Sequence, residues 1–117
     1  MKRKKYVPNS CVIIRAVMVK QNQNSKIPIE IGIEKYENGC LIEEYASFCK
    51  PETLVILPNN MPSYITHDIL QASPPASEVA RQIRDFVGEA ALSGEYANEI
   101  AKFANLDSKR EEDTMEM

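Results

Sequence analysis

Arg15 stands inside an apolar run, CVIIRAVMVK at residues 11–20, and is the first side chain in the chain that invites a chemical reading. A guanidinium keeps its charge and is costly to bury without a partner. Two chemistries fit it. Arg15 can neutralise a phosphate, or it can pair with a carboxylate on a neighbouring strand, where Glu30 is the expected partner. His67 is the single histidine and sits beside Asp68 in THDIL. General acid catalysis would need a second group and a cleft, so a surface helix position is the simpler reading. Thr66 and Asp68 read as helix-capping residues. Cys11, Cys40, Cys49 and His67 include zinc-ligand types, yet none has C-x2-C or H-x3-H spacing. No metal site and no cofactor are expected. The five tyrosines could stack on bases, but they are not interleaved with basic residues, which favours core and rim packing.

The elements that must position these residues follow from periodicity. Ser10 to Lys20 reads as a strand, and QNQNSK after it as a polar link. IPIEIGIEKY alternates, with Ile27, Ile29, Ile31 and Ile33 on one face and Glu30, Gly32 and Glu34 on the other. Asn38-Gly39 is a strong hairpin signal, and LIEEYASFCK resumes as a third strand with Leu41 and Tyr45 on one face. Pro51, Pro58 and Pro62 mark a loop from Lys50 to Pro62. SYITHDILQAS reads as a short helix capped by Ser63 or Thr66. A clearer helix follows, with Ser77 as its cap, an apolar stripe of Val79, Ile83, Phe86 and Val87, and Gly88 at its end. AALSG is short enough to be a strand, and EYANEIAKFANL is amphipathic through Tyr96, Ile100, Phe103 and Ala104. The predicted fold is α/β: a three-stranded antiparallel meander followed by helices and a short further strand. Its core should set Val12, Ile14, Ile31, Ile33, Leu41 and Tyr45 against Leu70, Val79, Ile83 and Phe86.

At 117 residues the chain suits one domain. Its charge is uneven, giving a basic N-terminal arm over 1–9, a domain over 10–106 and an acidic, disordered tail over 107–117. The net charge of −3 weighs against a general nucleic-acid binder, which is usually basic. No apolar run approaches the ~18 residues of a membrane span, and Pro8, Asn9 and Ser10 interrupt any signal-peptide pattern. An odd number of cysteines without framework spacing fits free thiols in a reducing compartment. The expected location is intracellular, cytoplasmic or nuclear, with no membrane association.

Two blocks carry a resemblance. IEIGIEKYENGCLIEEYASFCKP resembles the second and third strands of the DEDDh 3′–5′ exonucleases, of the proofreading-subunit and RNase T type, within the ribonuclease H-like superfamily. ITHDILQASPPASEVARQIRDFVG resembles that family's I-T-x-x-x-L segment, with its prolines and its helix ending in F-x-G. The resemblance implies an incomplete ribonuclease H-like fold. It also implies a site of four carboxylates holding two divalent metals, which activate water and stabilise the leaving oxygen. Here the pattern departs. Arg15 falls where the family has the aspartate of its strand-one D-x-E, and Val17 where it has the glutamate. Gly94-Glu95-Tyr96 falls near the expected His-Asn, Glu99 near the next aspartate, and the final H-x-x-x-x-D has no counterpart, which implies a shortened form.

With three of four metal carboxylates absent, the resemblance implies a non-enzyme. The expected function is a degenerate, inactive exonuclease-like domain serving as a protein-interaction or scaffold module in RNA metabolism or small-RNA silencing. IPIEIGIEKY is also similar to the P-x-E-I-G-x-x-K-Y stretch of the maelstrom family, which likewise lacks the metal carboxylates. The alternatives are a relic that binds RNA or single-stranded nucleic acid, and a divergent 3′–5′ exonuclease built on Glu30, Glu34 or Glu99. Arg15, Glu30 and Glu99 are the candidate binding residues, with Arg15 in a groove between strand one and the helix after Glu95. A protein partner is favoured over nucleic acid, and an uncovered sheet edge invites dimerisation.

Overall fold

The computed structural model describes residues 10–53 and 55–106. The chain runs through β1 (Ser10–Asn22), β2 (Ser25–Glu37), β3 (Cys40–Phe48), α1 (His67–Gln71), α2 (Ala76–Val87), β4 (Ala91–Gly94) and α3 (Ala97–Phe103). The four strands form one sheet in the order β3-β2-β1-β4. β1 and β2, and β2 and β3, are antiparallel; β4 joins β1 in parallel. The expected meander, helices and short fourth strand are all present in this mixed α/β arrangement. The expected basic arm and acidic tail lie outside the described residues.

Both hairpins have local causes. At the first, Asn22 Oδ1 accepts from the Asn24 amide at 2.9 Å and from Ser25 Oγ at 3.1 Å, closing the chain on itself. QNQNSK is therefore a tight turn between long strands rather than a link. At the second, Asn38 and Gly39 have φ of 54° and 81°, the left-handed pair that a two-residue hairpin of matching twist demands.

Two bulges then decide which side chains face where. Val17 pairs with Glu30 and Met18 with Pro28, so Ile29 is an extra residue in β2. Lys35 pairs with Glu43 and Tyr36 with Leu41, leaving Ile42 as the extra residue in β3. The first bulge corrects one expectation: Ile27 and Ile29 fall on the face opposite Ile31 and Ile33, where all four were expected together. The second bulge corrects another. It turns Leu41 away from Tyr45 and onto the opposite face, where it is 45% exposed instead of in the core.

The core is two clusters on opposite faces of the sheet. Val12, Ile14, Ile31 and Ile33 meet Val79, Ile83 and Val87 of α2 and Ile100 and Ala104 beyond β4. Tyr45 and Phe86 pack at the margin of this cluster with ring centroids 5.9 Å apart, and Tyr45 donates to Gln82 Oε1 at 2.9 Å. The second cluster gathers Val19, Ile29, Val55, Ile65 and Leu70, with Val17 and Phe48 packed against it. Leu70 therefore serves this second layer and does not sit opposite Ile83 as expected.

Helix ends differ in how they are satisfied. Thr66 caps α1, its side chain accepting from the Ile69 amide at 3.1 Å as expected. α2 begins after Pro75, with no side-chain cap, so Ser77 lies inside the first turn. Glu78 in that turn complements the helix dipole. α3 follows Gly94, whose φ of 106° brings the backbone so close to β1 that a Cβ would strike the Ile14 backbone.

Ile83→Ala should lower stability by ~3 kcal/mol or more, because Ile83 is fully buried between α2 and the sheet. Gly94→Ala should cost ~2 kcal/mol through strain and loss of the β1–β4 approach. Urea denaturation followed by circular dichroism measures both; a loss below ~1 kcal/mol at Ile83 contradicts the packing described.

Candidate functional site

The two faces of the sheet are covered unequally. α2 and α3 roof the face of Val12 and Ile14. On the other face the Val55–Ile65 loop and α1 cover only the half nearest Val17, Val19 and Phe48. Among the described residues nothing covers the remaining half, which is bare in that sense. Ile13, Leu41 and Ile42 are exposed there, and Tyr64, 52% exposed, stands at the border with the covered half.

Arg15 occupies the middle of this face, with its side chain 67% exposed. Its strand partner is Gly32, which carries no side chain, and the guanidinium lies across that gap: a Cβ on Gly32 would come to 4.0 Å from Nη2. Nη2 stands 3.9 Å from Glu34 Oε2. Two expectations are corrected here. Arg15 pairs with Glu34, not Glu30, because both carboxylates flank Gly32 and Glu30 is already engaged by Tyr64. Nor does Arg15 enter a groove beside the helix after Glu95, since α3 packs on the opposite face. The ion pair is long and well solvated, so it contributes little to stability.

Carboxylates crowd the same face. Tyr64 donates to Glu30 at 2.7 Å, and Tyr36 donates to Glu34 at 3.0 Å. Each of these hydrogen bonds favours the neutral phenol, and both tyrosine pKa values are raised, with the carboxylate hydrogen bond as the first cause. Glu34 and Glu44 are direct cross-strand partners, a like-charge pair that destabilises a sheet. Among the described residues Glu44 forms no ion pair. On the helix-covered face the equivalent pair is satisfied, with Lys35 Nζ 3.8 Å from Glu43 and 5.2 Å from the Phe86 ring centre.

Of the candidate binding residues, Arg15 and Glu30 thus share one face, while Glu99 is exposed in the first turn of α3, an element packed on the other. Sequence reasoning missed Glu44 and the contact that Tyr64 makes, and it named Glu34 only for the nuclease alternative and not as the partner of Arg15. Glu34 was visible in the alternation of β2, but Glu44 needed the register and Tyr64 needed the tertiary fold. Among the described residues no three His, Cys, Asp or Glu side chains gather in a way that could hold a metal. His67 is exposed at the start of α1. No described helix is long and apolar enough to cross a membrane.

A separate cleft of about 240 Å³ lies between the end of β3 and α2, lined by Pro28, Cys49, Glu52, Ser77 and Phe103 among others. Cys49 is the reactive type within it. Burial pushes its thiol up to about 11, which leaves it neutral and a poor nucleophile near neutral pH. No protein-family model matches this chain, and no curated protein matches its sequence.

Thiol reactivity should follow this geometry. At pH 8, Cys40, exposed beside the hairpin, should react with a disulfide reagent at a rate near that of a free thiol. Cys49 should react only on unfolding. Because its folded pKa is raised, its contribution to stability holds at neutral pH and falls away as pH climbs through about 11. Rapid labelling of Cys49 in the native protein contradicts the burial described.

Proposed function

We propose that this chain is an inactive, incomplete exonuclease-like domain of the ribonuclease H-like type, working as a protein-interaction module through the bare half of its sheet. The observation that carries this reading is the unequal cover of the sheet. One half-face presents Ile13, Leu41 and Ile42 to solvent around a charged centre, and exposed apolar side chains grouped with polar ones mark interaction surfaces. The element order, three strands, two helices, a strand and a helix, supports the ribonuclease H-like part of the proposal. The inactive part rests on Arg15 and Val17, which stand where the resemblance expects the two strand-one carboxylates.

A second reading, binding of single-stranded RNA, is favoured by Arg15 itself. Its guanidinium is mostly exposed, and its 3.9 Å pair with Glu34 is loose enough to be exchanged for a phosphate. The surrounding charge opposes it. Glu30, Glu34 and Glu44 share the face, and a phosphate backbone approaching Arg15 would meet all three. A divergent exonuclease is supported less, because Glu99 stands on an element packed against the other face. The protein-interaction module belongs, on the resemblance, to RNA metabolism or small-RNA silencing inside the cell.

Electrophoretic shift with single- and double-stranded RNA at low and moderate salt tests the choice, together with incubation of end-labelled RNA and DNA with Mn²⁺. Neither a shift at moderate salt nor shortening of the 3′ end is expected. Tight binding that weakens steeply with salt and is lost in Arg15→Ala replaces the proposal with the RNA reading. Metal-dependent shortening lost in Glu30→Gln replaces it with the nuclease reading.

A further inference from the structure

Resting on that reading, we propose that the partner is a basic, extended protein segment that adds to the sheet at the outer edge of β3 and places cations over Glu44 and Glu34. The edge is available in both backbone and length. β3 ends the sheet order, so among the described residues one side of its nine-residue backbone has no strand beside it. A strand of that length offers ladder positions for an added segment whose alternate side chains fall on one face.

Charge selects the occupant. Among the described residues the half-face carries three carboxylates, Glu30, Glu34 and Glu44, against the single guanidinium of Arg15. Glu34 and Glu44 stand directly opposite each other, with Arg15 reaching only Glu34. A lysine or arginine from an added strand would lie next to Glu44 and relieve the repulsion. Its alkyl stem would cover Leu41 and Ile42, which are 45% and 46% exposed. The rings of Tyr64 and Phe48, with centroids 6.3 Å apart, flank the same edge and suit a second cation over an aromatic face.

The same charges argue against a second copy of this chain. Antiparallel pairing of β3 with its own twin would bring Glu43 and Glu44, near the middle of the strand, beside the same residues of the twin. The edge is thus blocked against itself and open to its opposite, a pattern in which repulsion sets specificity.

A fluorescent peptide of about nine residues alternating Lys and Val, matched in length to β3, is the probe, with a Glu–Val peptide as its counterpart. Anisotropy titration should show saturable binding of the Lys peptide, at least ~10-fold tighter than the Glu peptide and weaker at higher salt. Hydrogen exchange should show new protection confined to amides of Cys40–Phe48. The Glu34→Gln/Glu44→Gln variant should lose ~10-fold in affinity, about the size of one coupled charge pair. Glu89→Gln/Glu95→Gln changes the net charge equally at the two ends of β4, the opposite edge of the sheet, and should stay within ~2-fold. Equal losses in both variants, or protection outside β3, overturn the proposal. If the Lys peptide fails while sedimentation shows self-association that protects β3, the partner chemistry is overturned and the docking reading survives. If it fails and RNA binds through Arg15, the docking reading is overturned as well.

Discussion

The alternation of side chains along β1 constrains everything else in this molecule. A strand in the middle of a sheet has two faces and must satisfy both, and β1 places Val12 and Ile14 on one, Ile13, Arg15 and Val17 on the other. Burying the first pair completely requires helices, which α2 and α3 supply. The second set is mixed, and its cover is correspondingly partial. Val17 is packed under the Val55–Ile65 loop, Arg15 lies at the boundary, and Ile13 is left in solvent. The charged residue sits where apolar cover stops, which is how a central strand carries a guanidinium without burying it.

The regular features of this architecture were legible in the residues. The Asn38-Gly39 turn and the stripe of Val79, Ile83 and Val87 are local signals that no later contact overrides, and the isoleucine alternation of β2 holds from Ile31 to Ile33. What was not legible is where the period slips. An extra residue at Ile42 reverses the facing of Leu41, and nothing in LIEEYASF marks that position beforehand, because Leu41 and Ile42 are both apolar. The bulge at Ile29 likewise lets Pro28 and Ile29, neighbours in sequence, both be buried. A proline there fits a sheet irregularity, since it has no amide to give to a ladder.

The same slippage explains the candidate site. Spacing alone made Glu30 and Glu34 equally good partners for Arg15, two residues either side of Gly32. The choice was made by Tyr64, more than thirty positions away in sequence, which holds Glu30 by a hydrogen bond. Glu44 became part of the site only through its register with Glu34. A charge cluster assembled from three strands and a loop has no signature in any one segment. Cys49 and His67, whose residue types announce chemistry, turned out to be a buried neutral thiol and an exposed helix-start residue.

β4 has a consequence for how the chain finds its structure. β1, β2 and β3 are joined by tight turns, so their pairing closes short loops and can form early, whereas β1 meets β4 across a separation of about 80 residues, as in Cys11 with Ala91. Closing so long a loop is entropically slow, and the return is only four paired positions. The fourth strand therefore joins last, as α2 and α3 settle onto the preformed meander. In the reverse direction it is the first to leave, baring the backbone edge of β1 at Val12 and Ile14, the most apolar stretch of the sheet. Until that late step is complete, the second edge of the sheet is the thirteen-residue β1 instead of the four-residue β4, and the window for mispairing lasts as long as the search for Gly94 to seat against Ile14.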